Sequence, residues 1–415
     1  MTKVLRFSGR STSVRRVRRA AGVCVLVVAL SALGGAFLVS CRPGLDRGPT
    51  VVETVLYPGP PLVRVALVVG TTVEGLVIAT DGGYEVRDEQ TGRVLAGGRR
   101  LPAVGVAASG PGMRLGGSTL ATAAVRVHSV SGDPLRVNGS SYVGDLLCFR
   151  EGETVTVVNE LDVEDYVAGV LGAEMPLKFE DEALKAQAVA ARTYVLYEAK
   201  TASSPLYDVL ATEASQVYRG LLVSTGRARK LVRATRGVIC TVDGRTFPTY
   251  FHSTCGGSTT HVCEVWPSTD LAPLQGVPCG YCTGSPSYRW TVDIPAEEVG
   301  RALTERGLFT GTVTGISVAR RAASGYATQV EVSGPEGRRL LGAYTVRLAL
   351  GGHRVKSTNF SVVRTGRGFR FRGQGFGHGV GLCQWGAQGM AQAGWNYREI
   401  LAHYYPGSQL VHIYP

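Results

Sequence analysis

From Pro61 to Val158 the chain alternates short apolar runs with glycine, aspartate and asparagine: Val63–Val69, Gly75–Ala79, Tyr84–Arg87, Ala123–Val130 and Thr154–Val158. Runs of this length, bounded by turn residues, predict strands. No cluster of catalytic side chains accompanies them, so the segment reads as a structural β-lobe. The pattern changes at Asn159. Val163–Leu171 is apolar on one side and leads into Gly172-Ala173-Glu174-Met175-Pro176. Proline disfavours helical geometry in the residue before it, which ends a first helix close to Glu174. A second helix is predicted from about Glu180 to Lys200, because Leu184, Ala188, Ala191 and Val195 recur at i, i+4, i+7 and i+11. Glu180, Asp181 and Glu182 occupy its first turn, where the helix dipole favours them. Alanines at its packing positions leave room for close approach by a neighbour. After Val209 strands return, among them Gly237–Val242, Thr246–His252, Gly315–Val332 and Val355–Phe371. Between them lies a cysteine- and histidine-rich loop from His252 to Cys282. A glycine-dense stretch, Gly373–Gly381, precedes a last helix from about Ala387 to Tyr404.

Composition alters this picture mainly at the N-terminus. The 415 residues carry a formal net charge of +12. The first 40 residues hold seven basic side chains (Lys3, Arg6, Arg10, Arg15, Arg16, Arg18 and Arg19) and no acidic one. Of 44 basic residues 37 then remain against 32 acidic ones, an excess of five that is too small for a nucleic-acid protein. The basic run precedes Ala20–Val39, 20 residues without a charge, as in an export signal or membrane anchor. Leu38-Val39-Ser40-Cys41 resembles a bacterial lipobox, with Cys41 as the lipidated residue; an uncleaved anchor is the alternative. Either way the folded part is expected outside the cytoplasmic membrane. With 44% hydrophobic and 18% charged residues the chain can bury a core, and disorder as its dominant state is excluded. The glycine content of 55 and the many β-branched residues point to a β-rich α+β fold. The expected organisation is a signal or anchor over 1–40, a Pro/Gly-rich tether over 41–60, an N-terminal β-lobe over 61–158 and a catalytic core over 159–415.

Five blocks make the reading specific. The first, Val157-Val158-Asn159-Glu160-Leu161 through Glu164-Asp165-Tyr166-Val167 to Glu174-Met175-Pro176, resembles the SpoIID/LytB family of bacterial cell-wall proteins. So do Ala183-Leu184-Lys185-Ala186-Gln187-Ala188-Val189-Ala190-Ala191-Arg192-Thr193-Tyr194, then Gln216-Val217-Tyr218-Arg219-Gly220, then His252-Ser253-Thr254-Cys255-Gly256-Gly257, and last Gly377-His378-Gly379-Val380-Gly381 with Gln384-Trp385-Gly386-Ala387. The resemblance implies a SpoIID-like fold with helices flanking a substrate groove. It also implies lytic transglycosylase activity on peptidoglycan glycan strands, notably those stripped of stem peptides. Some members are instead enhancers of cell-wall amidases, so a non-catalytic, amidase-stimulating binder is the rival expectation.

The chemistry of a lytic transglycosylase needs one carboxylic acid beside the scissile oxygen. Glu174, at a helix end between apolar Ala173 and Met175, suits that role, and the resemblance assigns it. Desolvation there would favour the neutral acid. The plain alternative is a helix-end carboxylate held by backbone amides; Glu164 is a distant second candidate. Within the resembling blocks Arg192, Tyr194, Gln216, Tyr218, His378, Gln384 and Trp385 are the polar and aromatic residues available to hold sugars. His378 and Gln384 are placed in the cleft, the former because glycines on both sides permit close approach.

The loop from His252 to Cys282 holds two pairs of equal spacing, His252-x-x-Cys255 and Cys279-x-x-Cys282. They predict a structural zinc site of Cys255, Cys279, Cys282 and His252, with His261 or Cys263 able to replace His252. Disulfides are the competing expectation in an exported protein. A Cys255/His378 thiol hydrolase would need a free thiolate, which metal ligation removes. Cys148, Cys240 and Cys383 are expected to be buried small hydrophobes.

Overall fold

The computed structural model describes residues 49–415 apart from 55, 73, 74 and 268. The predicted anchor, the lipobox and Cys41 lie outside the described residues. From Val51 onward the chain already belongs to the fold. Val51–Glu53 pairs in parallel with Gln409–His412, which pairs antiparallel with Val238–Thr241. The tether expected as far as residue 60 therefore ends earlier, because backbone donors at 51–53 find partners in the last strand of the chain.

The β-lobe forms as its alternation predicts. A seven-stranded sheet runs in the order Val209–Leu210, Leu62–Thr71, Thr154–Asp162, Asp145–Glu151, Ala124–Ser129, Tyr84–Asp88, Val94–Gly98, and a six-stranded sheet accompanies it. Ile78, Val86, Val106, Met113, Val125, Leu146 and Val157 fill the core of this lobe. The strand Thr154–Asp162 hands the chain directly to α1 (Val163–Glu174), since Asp162 is at once its last residue and the N-cap. The Asp162 carboxylate accepts from the amides of Glu164 at 2.8 Å and Asp165 at 2.9 Å, satisfying two of the four free donors of the first turn. Pro176 follows the extended Met175 and α1 stops at Glu174, as predicted.

Helix α2 (Asp181–Thr201) occupies the predicted span within a residue. Ala183, Ala186, Ala188, Ala190 and Ala191 are all fully buried, so α2 is enclosed rather than amphipathic at the surface. It packs against α1 and against α3 (Gly226–Ala234), which the sequence reading did not anticipate.

Residues 289–374 build a second packed unit inside the span expected as one core. Two three-stranded sheets, with α4 (Ala296–Glu305) and α5 (Ala343–Ala349), enclose Val299, Leu303, Phe309, Val330, Val346, Phe369 and Phe371. α4 buries Val299 and Leu303, one helical turn apart, an amphipathic period that went unread in the sequence, whereas α5 at seven residues is too short to show one.

The predicted terminal helix is two helices, α6 (Gln384–Gln392) and α7 (Tyr397–Tyr404). Gly394, at φ +87°, takes a left-handed conformation that breaks the run. Asn396 then starts α7 with a capping box to Glu399.

Candidate functional site

Glu174 is half-buried at the last position of α1, and its carboxylate accepts one hydrogen bond, from the Val217 amide at 2.7 Å. Burial raises this carboxyl from its ordinary 4.5 to about 7; the Val217 amide acts against the rise and the nearby Glu213 carboxylate adds to it. Among the described residues no cationic side chain pairs with it. It is therefore an acid that holds its proton near neutrality and can release and recover it there.

The Val217 amide is held in place by its neighbours. Gln216 and Tyr218, expected in the groove, are buried beneath the loop with no face to offer a ligand. The Tyr166 hydroxyl donates to Gln216 Oε1 at 2.8 Å, and the Tyr218 hydroxyl donates to Asn159 Oδ1 at 2.7 Å. The Tyr166 and Tyr218 rings stack at 5.3 Å. Tyr218 also lies so close to α1 that a Cβ on Gly169 would sit 2.5 Å from its ring. Alternation along Gln216-Val217-Tyr218 thus turns two side chains inward and presents the amide between them to Glu174.

Arg192 is likewise fully buried and not a groove residue. Its guanidinium donates to both Glu164 oxygens, at 3.0 and 2.7 Å, and to the Val238 carbonyl at 3.0 Å. Glu164 accepts further from the Gly237 amide at 3.0 Å and from the Tyr414 hydroxyl. Burial by itself would raise Glu164, but Arg192 outweighs it and holds the carboxyl below its ordinary value. Glu164 is thus a charged structural anchor, which disposes of it as an alternative acid.

An aromatic wall runs from α2 to the second unit. Buried Tyr194 of α2 faces Tyr250 at 6.1 Å. Tyr250 packs on Trp266 at 4.7 Å and on His378 at 6.0 Å, and Trp266 meets Tyr344 of α5 at 5.9 Å. Tyr250, Trp266, His378 and Tyr344 are half-buried, as sugar-stacking rings are. Sequence reasoning missed Tyr250, Trp266 and Tyr344. The first adjoins the His252 block and the second stands in the cysteine loop, but nothing local marks Tyr344. His378 lies in this wall with both nitrogens spent on backbone: Nδ1 accepts from the Val380 amide at 3.0 Å, so Nε2 donates to the Phe251 carbonyl at 2.9 Å. Only its ring can meet a ligand, and burial holds it neutral. Gln384 is buried at the first turn of α6, and Trp385 packs edge-on against Phe179 at 4.9 Å.

The cysteine cluster differs from the expected ligand set by one residue. The sulfurs of Cys255, Cys279, Cys282 and Cys383 lie within 4.8 Å of one another and are buried. Cys383, expected as an isolated core thiol, joins the cluster because Leu382–Cys383 pairs in parallel with Phe251–His252. His252 stays outside it: its ring contacts His378 at 5.3 Å, and Nδ1 donates to the Val380 carbonyl at 3.1 Å. His261 caps a short helical turn by accepting from the Cys263 amide at 3.1 Å, and Cys263 is half-exposed, so neither replaces His252. The four thiols fit a tetrahedral ion. A Zn–S bond of about 2.3 Å implies sulfurs about 3.8 Å apart, and Cys255 and Cys282 stand at 3.6 Å. Amides of Cys255 and Gly386 donate to Cys383 Sγ at 3.2 and 3.3 Å, the support a thiolate needs. No disulfide joins the cysteines among the described residues. Cys148 and Cys240 are the buried thiols expected, each pushed up to about 12 by burial.

Comparison with known proteins meets this geometry. A family model described as stage II sporulation protein (SpoIID) matches residues 151–241, which contain α1, α2, Glu174 and the Val217 loop. A domain of unknown function (DUF8618) matches residues 280–381. Stage II sporulation protein D of Bacillus amyloliquefaciens is 33% identical over 265 residues, covering 60% of this chain and 74% of that protein. An uncharacterised protein of Brachyspira hyodysenteriae is 37% identical over 280 residues, 67% of this chain and 74% of its own. An amidase enhancer of Bacillus subtilis is 27% identical over 290 residues, 58% of this chain and 40% of its own. These relatives support a cell-wall-related function. With the resembling blocks carried by α1, α2, the Val217 loop, the cysteine cluster and the aromatic wall, the chain belongs to the SpoIID/LytB family.

Proposed function

We propose that this protein is an exported peptidoglycan lytic transglycosylase that cleaves glycan strands, preferring those without stem peptides, with Glu174 as its single acid and base. The observation that carries the reading is the environment of Glu174: a half-buried carboxyl raised to about 7, with one amide donor and no cationic partner among the described residues. The protonated carboxyl gives its proton to the glycosidic oxygen as the bond from that oxygen to C1 of muramic acid breaks. The resulting carboxylate takes the proton of the C6 hydroxyl of the same sugar, whose oxygen bonds to C1 and closes a 1,6-anhydro ring. Water does not enter, and Glu174 ends the cycle protonated as it began. Tyr250, Trp266 and the His378 ring would stack on sugar faces.

The four-cysteine cluster is proposed to hold one structural zinc through Cys255, Cys279, Cys282 and Cys383. Bound there, the ion supplies cross-linking of the long loop to α6, with no part in bond cleavage. Export and attachment through Cys41 would place the site at the outer face of the membrane. The test of the mechanism is Glu174→Gln. Incubated with peptide-free strands, the wild type should release products with 1,6-anhydro ends, about 18 Da lighter than hydrolysed ends because no water is added. The variant should release none. Reducing ends alone, or undiminished turnover by the variant, would overturn the proposal. The relative named amidase enhancer favours a second reading, a strand-binding protein that stimulates an amidase; it takes over if the wild type itself yields no cleaved product.

A further inference from the structure

The second unit carries a cationic sheet face that the chemistry at Glu174 does not use. In the sheet of Arg289–Pro295, Gly368–Gln374 and Phe360–Arg364, side chains alternate between faces. Phe369 and Phe371 with Ile294 and Phe360 turn into the core, and Arg370, Arg372 and Gln374 turn out. The register arranges the outward residues in rows. Arg289 lies opposite Gln374, Thr291 and Ser361 flank Arg372, and Asp293 lies opposite Arg370. In the last row the charge is neutralised: Arg370 donates to both Asp293 oxygens, at 2.7 and 2.8 Å. In the other two it is not. Among the described residues no carboxylate lies within ion-pair distance of Arg289 or Arg372, nor of Arg321, which leans in from the neighbouring sheet.

Together these three arginines line an open cavity of about 570 Å³ that contains no acidic residue. Arg321 is already positioned, donating to the carbonyls of Gly325 at 2.8 Å and Phe360 at 2.7 Å. Arg372 shares only the Asp293 carboxylate that Arg370 already occupies, so the three guanidiniums repel one another, and an anion that entered would relieve this. Guanidinium beside hydroxyl and amide groups suits a sugar bearing a carboxylate, which arginine can grip with two parallel hydrogen bonds.

The position favours a glycan strand. Gln374, on the cavity, is four residues from His378, in the aromatic wall, a span of at most about 14 Å. The segment between them is pinned by the Trp290 indole donating to the Gly375 carbonyl at 2.9 Å. We propose that this sheet face is a second glycan subsite, in which Arg289, Arg321 and Arg372 hold a carboxylate of the strand that runs on from the Glu174 cleft. The assignment rests on the reading of a glycan strand as the substrate. The carboxylate is that of the muramic lactyl group on a peptide-free strand, or that of a stem peptide on an intact one.

The experiment measures binding of the folded exported part, with Glu174→Gln to prevent turnover, to purified phosphate-free glycan strands at low salt. Arg289→Gln/Arg372→Gln in that background should bind at least about tenfold more weakly, with unchanged thermal unfolding because both residues are exposed. Arg372→Glu should weaken binding further. Strands whose carboxyl groups have been reduced to alcohols should bind the parent as weakly as native strands bind the double variant. Peptide-free and peptide-bearing strands, compared in the same assay, identify the source of the carboxylate. Equal binding by parent and double variant, full binding of reduced strands, or capture of phosphate-rich wall polymer but not of phosphate-free glycan would each overturn the subsite. The two proposals fail separately. Arginine-dependent binding without any anhydro product from the wild type removes the acid/base reading and leaves the subsite. Anhydro product with arginine-independent binding does the reverse.

Discussion

Replacing Glu174 by glutamine should remove activity and also stabilise the fold, in a way that depends on pH. In the folded chain this carboxyl is raised from 4.5 to about 7, chiefly by burial. Between those values the folded state keeps a proton that the unfolded state has lost, so stability falls as pH rises from 4.5 through 7. At about 1.36 kcal/mol for each step of one in pKa, the full effect is roughly 3 kcal/mol. The carboxyl is only half-buried, so solvent screening reduces this to about 1–3 kcal/mol. Glutamine keeps the shape and the acceptor for the Val217 amide but carries no charge to desolvate. Glu174→Gln should therefore match the wild type near pH 4.5 and exceed it by about 1–3 kcal/mol at pH 8. Chemical denaturation of both proteins at the two pH values measures this directly. The wild-type kcat/KM should fall with rising pH along a limb centred near 7, as the acid loses its proton. A variant that is less stable than the wild type at both pH values, or a rate limb centred near 4.5, would refute the environment assigned to Glu174.

Breaking the buried Arg192–Glu164 pair from one side, as in Arg192→Met, should cost about 3–5 kcal/mol, because an uncompensated charge remains; adding Glu164→Gln should recover part of it, read from denaturation midpoints. Cys383→Ser should lower zinc content from one ion per chain to background and reduce Tm, whereas His252→Ala should keep the metal; a mass two hydrogens short for each cysteine pair would decide for disulfides. Gly169→Ala should destabilise by about 1–3 kcal/mol despite the better helix propensity of alanine, since its Cβ meets the Tyr218 ring, and should slow turnover by moving the Val217 loop.

The sequence by itself determined whatever depends on near neighbours in the chain. Strand alternation marked the β-lobe, Pro176 marked the end of α1, and the i, i+4, i+7 stripe marked α2, because these patterns are set by backbone sterics and local periodicity. It also singled out Glu174, through the blocks that resemble the SpoIID/LytB family. What it could not decide was which polar residue faces the groove. Arg192, Gln216 and Tyr218 stand in the resembling blocks next to that of Glu174, yet they are buried and hold its surroundings in place. Only packing separates a residue that touches a ligand from one that supports it. The fourth cysteine was hidden for the same reason: Cys383 is about a hundred residues from Cys282 and arrives through a two-residue parallel bridge. Tyr344 and the arginine face belong to a unit that none of the resembling blocks reaches, so their place beside the site follows from tertiary contacts alone. Periodicity reports which face of an element is buried; only the assembled chain brings distant faces together.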